Sequence, residues 1–290
     1  MIIDPRDDTE YKVFDAHTHW SRLVSWILTK WPFKKLLYMI ALPELVEYII
    51  TIWKRVKKST KSKAEFKAKL FLELLDFYRI DKAVILTIFG FDNNFTLRTA
   101  NIFPDRIIPF INISPKSSPK KLEKKFQQFK GTNWMGVKFA PHFQHFHVKV
   151  HREGIERIYN WVQESKRIVL FHTGSHSEID DIFEIAKNYP DVPTILGHSG
   201  LSPQIDNAIN AARQATNIFL ETSGQPYIYK IQDALKDKEI GPERILYGSD
   251  FPTLHPFVEQ ERILSLNASV EVKRLIFSRN IENLIKTRKI

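Results

Sequence analysis

Two histidines near the start of the chain have the spacing of a metal-binding pair. His17 and His19 follow the stretch 13–16, which begins apolar. If that stretch is a β-strand, residues two positions apart point to the same face, so both imidazoles would project together from its end. Two neutral imidazoles aimed at one point can begin a metal site, although such a pair more often consists of two surface histidines.

Polar side chains also follow apolar runs later in the chain, and these are Lys138, His172, His198 and Asp250. The last three are separated by one and then two repeats of 26 residues, which indicates one structural frame. Each residue alone is more typical of a hydrogen-bonded strand end or a turn. The chain contains no cysteine, so any metal must be held by histidine, carboxylate or a modified lysine. Together with the first pair, these residues predict a shared metal centre.

Apolar runs alternate with helical stretches over most of the chain. The runs interpreted as strands are 13–16, 83–88, 107–113, 134–139, 168–172, 194–198, 218–222 and 245–250. Most of them are apolar throughout, as expected for parallel strands that are buried on both faces. Between them, Ser118 followed by Pro119, and Ser202 followed by Pro203, are typical of helix starts.

This alternation predicts an α/β fold, a (β/α)8 TIM barrel that forms a single domain over residues 1–290. The active site of such a barrel lies at the C-terminal ends of the strands, where the candidate ligands stand. A doubly wound open sheet is the structural alternative. The first strand is not followed by the Gly-rich phosphate turn of the dinucleotide-binding version of that fold.

An aromatic segment interrupts the frame after the first strand. Residues 20–63 are rich in Trp, Leu, Ile and Tyr, but lysines such as Lys30 break the run that a membrane span would need. Pro32 and Pro43 would end or begin helices. We predict a helical insertion of two or three amphipathic helices that covers the site as a lid or forms a partner surface, and no membrane span. Shallow association with a membrane surface is a lesser alternative.

The composition is that of a soluble globular protein, with 43% hydrophobic and 26% charged residues. The net charge of +10 would suit an anionic partner, and part of the excess lies between Lys54 and Lys63. No nucleic-acid-binding motif accompanies these lysines, so we interpret them as a solvated surface and expect no nucleic-acid partner. Residues 1–8 lack the apolar run of a signal peptide, so we expect a cytoplasmic protein.

Five motifs resemble those of one enzyme superfamily over nearly the whole chain except residues 20–63. They are Phe14-Asp15-Ala16-His17-Thr18-His19, Gly136-Val137-Lys138-Phe139, His172-Thr173-Gly174, Gly197-His198-Ser199-Gly200 and Tyr247-Gly248-Ser249-Asp250-Phe251-Pro252. The chain thereby resembles the amidohydrolase superfamily and, within it, the amidohydrolase 2 family. That branch includes aminocarboxymuconate-semialdehyde decarboxylase and related aromatic-acid decarboxylases, alongside hydrolases of lactone and carboxylate substrates.

The resemblance implies that His17, His19, His172 and Asp250 bind one divalent metal ion, with Zn²⁺ favoured and Mn²⁺ or Fe²⁺ as alternatives. Nitrogen ligands with one carboxylate and a position left open for water suit catalytic zinc. Asp250 would also shuttle a proton, and His198 would polarise the substrate carbonyl or act as an acid or base.

Lys138 has two interpretations under this resemblance. It could be carboxylated and bridge two metal ions, or, as we favour for this branch, it could be unmodified and pair with an anionic group of the substrate. A structural ion pair is a further alternative. Many relatives carry a histidine where this chain has Ala140, and His142 is a candidate substrate-binding residue in its place, although histidines in such a loop are more typical of solvent-facing residues. His255, which follows Asp250, is a further candidate substrate-binding residue. Glu221 is a candidate hydrogen-bonding residue near the metal.

The main functional hypothesis is a metal-dependent hydrolase that acts on a small carbonyl or carboxylate substrate through a metal-activated water. The alternative is a non-oxidative decarboxylase of a small aromatic or unsaturated acid on the same metal site. A non-catalytic barrel would be expected to have lost ligands, and here the set is complete. The expected partner is a small anionic molecule, and a homodimer is compatible with the sequence.

Overall fold

The computed structural model describes residues 1–22, 24–25, 43–60, 62–88, 92–174 and 178–288, with the backbone alone for 43–50. A short antiparallel hairpin, β1 (Ile2–Ile3) and β2 (Glu10–Tyr11), begins the chain. The strands that follow are β3 (Phe14–Thr18), β4 (Lys82–Leu86), β5 (Ile107–Asn112), β6 (Gly136–Phe139), β7 (Ile168–His172), β8 (Thr194–Gly197), β9 (Ile218–Glu221) and β10 (Ile245–Leu246). In the described part of the chain they form one eight-stranded sheet in sequential order, with every pairing parallel.

Helices connect successive strands of this sheet. The described helices are α1 (Pro43–Ser59), α2 (Lys63–Phe77), α3 (Asn93–Ile102), α4 (Pro119–Phe129), α5 (Pro141–Gln144), α6 (Arg152–Glu164), α7 (Ile179–Ala186), α8 (Leu201–Gln214), α9 (Ile228–Lys236), α10 (Pro256–Leu264), α11 (Val270–Arg274) and α12 (Asn280–Lys286). A single π-helical stretch, Leu275–Arg279, joins the last two. The prediction of a (β/α)8 barrel is confirmed.

Backbone hydrogen bonds between β3 and the segment that follows β10 nearly close the barrel. The amide of Ala16 donates to the carbonyl of Tyr247 at 2.9 Å, and the amide of Asp250 donates to the carbonyl of His17 at 2.8 Å. The last strand is shorter than the predicted run 245–250. Beyond Leu246 the chain leaves the ladder with β9 and bonds to β3 instead, and Asp250 turns it with a left-handed φ of 52°.

Alternate residues of the strands face two different apolar layers. Val84 and Leu86 belong to the cluster inside the barrel, whereas Ala83 and Ile85 pack in the layer between strands and helices. This follows from the two-residue period of a strand and explains why runs such as β7 are apolar throughout. By the same period, polar residues occupy inward positions near the C-terminal ends of β6, β7 and β9. They are Lys138, His172 and Glu221.

The helix starts follow local signals with one difference. The first helical residue of α4 is Pro119, after Ser118, as predicted. The helix α8 begins at Leu201 rather than after Ser202, because the left-handed Gly200, with φ of 82°, already turns the chain into it.

Part of the predicted insertion 20–63 is helical. The helix α1 occupies its second half, while the stretch 26–42, on which the prediction of further helices and of a lid rests, lies outside the described residues. Among the helices of the described ranges, none combines the length and the apolar character that crossing a membrane requires.

Candidate metal centre

Three side chains from the end of β3 and from the segment after β10 converge at the C-terminal rim of the barrel. The Nε2 atoms of His17 and His19 lie 3.2 Å apart. The Oδ1 atom of Asp250 lies 3.4 Å from the first and 3.0 Å from the second. The three ligand atoms fall within 4.8 Å of one another, which is the spacing expected around one ion.

The other ring nitrogens of the two histidines are held by fixed acceptors. The Nδ1 atom of His17 lies 2.6 Å from the Oε2 atom of Glu221, and the Nδ1 atom of His19 lies 3.1 Å from the carbonyl oxygen of Leu86. A carbonyl can only accept, so Nδ1 of His19 carries the proton. The Nε2 atoms therefore present their lone pairs to the common point, as in most histidine ligands of metals.

An irregularity in β3 brings His17 into the barrel. The pairing register between β3 and β4 shifts between Asp15 and Thr18, so the regular alternation expected from the sequence is broken there. The buried carboxylate of Asp15 stabilises the irregularity, because its Oδ1 atom accepts hydrogen bonds from the amides of His17 and Ser249. Burial raises the pKa of Asp15 to about 7.

Burial controls the charge of the cluster. It places the pKa of His17 well below the ordinary value, and nearby Lys138 lowers it further, so His17 is neutral and able to bind a metal. Burial also raises the pKa of Asp250, but the contact with His19 and the charge of Lys138 outweigh that effect. The pKa of Asp250 is therefore below its ordinary value, and the residue supplies an anionic oxygen.

A buried lysine lies directly beside this cluster. The Nζ atom of Lys138 is 3.5 Å from the Nε2 atom of His17, and the residue has no exposed surface. Burial lowers the pKa of Lys138 to about 7, although Asp250 and Glu221 oppose the shift. No carboxylate of the described residues lies within ion-pair distance of its amine.

The other predicted histidines form a second pair next to the first. The Nε2 atom of His198 lies 3.0 Å from the Nδ1 atom of His172, and the Nδ1 atom of His198 lies 3.0 Å from the carbonyl oxygen of Ser223. Burial lowers the pKa of His198 to about 4 and that of His172 to about 2, so both rings are neutral. Because the carbonyl fixes the proton of His198 on Nδ1, its Nε2 atom accepts from His172.

The carboxylate of Glu221 connects the two pairs. Besides its bond to His17, its Oε2 atom accepts from the amide of His198 at 3.0 Å and from the hydroxyl of Ser223 at 2.9 Å. Burial raises the pKa of Glu221 to about 8. Gly248 leaves room for this carboxylate, since a Cβ atom there would lie 2.1 Å from the Oε1 atom of Glu221.

Sequence reasoning missed Ser223 and the contacts of Asp15. Ser223 follows the run 218–222 without any motif, so its only signal is its position just beyond a strand end. Asp15 offered a clearer signal, because a carboxylate inside an otherwise apolar strand requires buried donors.

The two candidate substrate-binding histidines contact aromatic side chains. His142 is exposed on the short helix α5, where its ring contacts Phe143, which in turn contacts the ring of His172. His255 packs its ring against Tyr78 and Phe257, with centroids 5.3 and 5.7 Å away. Both of its ring nitrogens are buried without a hydrogen-bond partner in the described part of the chain.

The donor set fits a divalent cation. It combines neutral imidazoles, oriented by acceptors on their far sides, with an anionic carboxylate, and His172 stands beside it at the same rim. Nitrogen and oxygen donors of this kind suit Zn²⁺ and Mn²⁺ alike, so they indicate a divalent metal without selecting one.

Comparisons with known proteins agree with the fold. The Amidohydrolase family model (Amidohydro_2) matches residues 14–286. A comparison with curated proteins gives no match. Among solved structures, the chain is similar to an uncharacterised TIM-barrel protein of Bordetella bronchiseptica, with 16% sequence identity and a TM-score of 0.70. That similarity covers 96% of this chain and 99% of the other.

Two decarboxylases have similar structures. One is 5-carboxyvanillate decarboxylase of Novosphingobium aromaticivorans, with 14% identity, a TM-score of 0.63, and coverage of 95% of this chain and 96% of that one. The other is 2,6-dihydroxybenzoate decarboxylase from Rhizobium, with 13% identity, a TM-score of 0.63, and coverage of 97% and 100%. At these identities the likeness shows the shared fold. Because the family model extends from β3 to α12, the chain belongs to the amidohydrolase 2 family.

Proposed function

We propose that this protein is a metal-dependent enzyme that removes the carboxyl group of a small aromatic acid without oxidation. The position of Lys138 carries the proposal. Its amine is buried beside the metal ligands and, within the described ranges, has no carboxylate at ion-pair distance. A buried amine in its charged form needs an anion, and a substrate carboxylate at the cluster would supply one.

The ligands bound in similar structures support this choice of substrate. The decarboxylase of Novosphingobium aromaticivorans was solved with manganese and 4-hydroxy-3-methoxy-5-nitrobenzoic acid. Another similar structure is 2,6-dihydroxybenzoate decarboxylase in complex with 2,6-dihydroxybenzoate. Each of these ligands is a benzoic acid with a hydroxyl group, so hydroxybenzoates are the first substrates to examine.

In this proposal, His17, His19 and Asp250 hold the ion, with His172 as a further ligand. A divalent ion there would supply Lewis-acid stabilisation of negative charge on the substrate. Lys138 binds the carboxylate, and His198 orients His172. When the bond to the carboxyl group breaks, the ring carbon must take up a proton. Asp250 can pass that proton to and from solvent, because its side chain is 11% exposed whereas that of His17 is fully enclosed.

Hydrolysis of an ester, lactone or amide is the second candidate, and the ionised state of Asp250 favours it. A carboxylate whose pKa lies below its ordinary value can accept a proton from an attacking water at neutral pH. Lys138 would then bind a separate anionic group of the same substrate.

A matched substrate panel separates the two reactions. The protein, loaded in parallel with Zn²⁺ or Mn²⁺, is incubated with hydroxybenzoic acids and with their methyl esters and lactones. Release of CO2 from the free acids, lost in the His19→Ala variant, supports decarboxylation. Turnover of esters or lactones without CO2 release from any acid contradicts decarboxylation and supports hydrolysis. The two metal forms also test the preference for Zn²⁺, while cytoplasmic location and dimerisation remain predictions.

A further inference from the structure

The turn 221–223 contacts both histidine pairs of the candidate metal centre. Glu221 reaches the ring of His17 and the amide of His198 through one oxygen, Oε2. Ser223 accepts from the ring of His198 through its carbonyl oxygen, and its hydroxyl lies 3.0 Å from the same ring nitrogen. Two residues of one turn therefore touch one ring of each pair.

Every group around the Glu221 carboxylate is a donor when His17 binds a metal through Nε2. These groups are the Nδ1–H of His17, the amide of His198, and the amide and hydroxyl of Ser223. All of these donors are satisfied only by a group whose two terminal atoms both accept hydrogen bonds. An ionised carboxylate is the side chain with that property. The side chain has no exposed surface, so water cannot replace a missing partner.

We infer that Glu221 is a positioning residue that couples metal affinity to the placement of His198. It holds the proton of His17 on Nδ1, which directs the Nε2 lone pair to the metal, and the same oxygen anchors the backbone of His198. Through His198 it also sets the ring of His172. The inference deepens the proposed function and rests on it only in the assignment of His17 as a ligand.

A glutamine at this position cannot reproduce the carboxylate. If its amide oxygen faces His17, its NH2 group faces the amide of Ser223, and two donors oppose each other. If it is turned over, the NH2 group faces His17 and favours the tautomer with the proton on Nε2, which cannot bind a metal. Either orientation leaves a buried donor without an acceptor.

The test compares Glu221→Gln with Glu259→Gln. Glu259 is a matched control, since it is a buried carboxylate that accepts from the amide of Gly224 in the same loop but touches neither histidine pair. Zinc affinity is measured by competition with a chelator. The expected loss is roughly 10- to 100-fold for Glu221→Gln, the usual effect of removing the partner of a metal-binding histidine. The control should remain close to the native protein.

The tautomer of His17 gives a second readout that does not depend on activity. In ¹⁵N–¹H spectra of the zinc-free protein recorded above pH 8, where the Glu221 carboxyl is ionised, His17 should be protonated on Nδ1 in the native protein and shift towards Nε2 in Glu221→Gln. Unchanged zinc affinity together with an unchanged tautomer would overturn the inference. If Glu221→Gln does not fold, Glu221→Asp carries the test, because its carboxylate is one methylene further from His17 and the same loss of affinity is expected.

These measurements are separable from the proposed function. Native zinc affinity together with a native His17 tautomer in Glu221→Gln would remove the positioning role while leaving decarboxylation or hydrolysis untouched. Conversely, a protein that binds zinc as expected but turns over no substrate in the panel would contradict the proposed function and leave the role of Glu221 intact.

Discussion

His172 contacts His198, which in turn packs against the ring of His17. Its Nδ1 atom lies 3.0 Å from the Nε2 atom of His198, whose ring stacks obliquely against that of His17 with centroids 4.6 Å apart. The ring of His198 therefore has both nitrogens engaged, one with His172 and one with Ser223. A substrate can therefore hydrogen-bond to the ring of His198 only by displacing His172 or Ser223.

This arrangement predicts different outcomes for the two histidines. His198→Ala should keep one equivalent of metal but lose turnover, because its ring orients His172 and is not among the proposed ligands. His172→Ala should lose metal, since it removes a proposed ligand. Elemental analysis of the purified variants together with kinetics checks both. Full metal content in His172→Ala would contradict its assignment as a ligand, and native kinetics in His198→Ala would remove its role in the reaction.

Loss of a ligand from the pair His17 and His19 should reduce metal binding more than loss of His172 does. His19→Ala removes one of the three donors that converge within 4.8 Å, so the metal content should fall well below one ion per chain. Asp250→Asn should weaken binding as well, because it removes the anionic oxygen. Metal content after dialysis against a weak chelator measures the effect, with His147→Ala, an exposed histidine, as the control. Native metal content in His19→Ala would place the metal elsewhere.

Replacing Lys138 tests the proposed substrate contact. Lys138→Met keeps most of the length of the buried side chain and removes its charge, so metal should be retained while KM rises about 10- to 100-fold, the cost of one charge-assisted hydrogen bond. Steady-state kinetics on an acid and on a neutral analogue measure the difference. An equal effect on both would show that Lys138 does not bind the anionic group. A mass increase equal to CO2 on native Lys138, with a second metal ion, would favour the carboxylated form.

The glycine beside Glu221 should not tolerate a side chain. In Gly248→Ala, the new Cβ would lie 2.1 Å from Oε1 of Glu221 and 2.8 Å from Cβ of His17, so one of them must move. We expect a loss of about 1–3 kcal/mol in the free energy of unfolding, as for overpacking elsewhere, and weaker metal binding. Urea denaturation and zinc titration measure these. Gly131→Ala is the control without a steric clash, because nothing lies within 4 Å of its Cβ position. It measures the backbone strain alone, since the φ of 75° at Gly131 disfavours any side chain.

The burial of His255 predicts one component of the pH dependence of the free energy of unfolding. Burial lowers the pKa of His255 in the folded protein below the ordinary value of 6.5. When the pH falls below 6.5, the unfolded chain therefore takes up a proton that the folded protein does not, and stability is lost. His255→Phe should lose less stability than the native protein between pH 8 and pH 5.5. Urea midpoints at the two pH values measure this, and identical losses would show that His255 titrates normally.

Strand positions and the shared rim could be predicted from sequence because they depend on repeating local patterns. The run that became β7 is apolar throughout, and this marks a buried parallel strand. Since parallel strands present their C-terminal ends on one side, His17 and Asp250 could be expected to meet although they lie far apart in sequence. The family motifs then supplied their roles.

Side-chain orientation could not be predicted in the same way. The register shift after Asp15 depends on the amide of Ser249, which arrives from the other end of the chain. His255 follows Asp250 closely but turns away to pack against Tyr78, a residue of the helical layer. Spacing along a strand specifies which residues reach the rim, whereas three-dimensional packing decides which neighbours each ring then contacts.

The backbone hydrogen bonds that join β3 to the segment after β10 have a consequence for biosynthesis. His17 and His19 leave the ribosome well before Asp250, which lies more than 230 residues later in the sequence. The histidines lie at the end of β3 and the aspartate on the segment after β10, so a growing chain cannot assemble the full ligand set until these two parts pair. Metal binding must therefore follow that pairing. An ion bound there would link β3 to the segment after β10 and slow their separation.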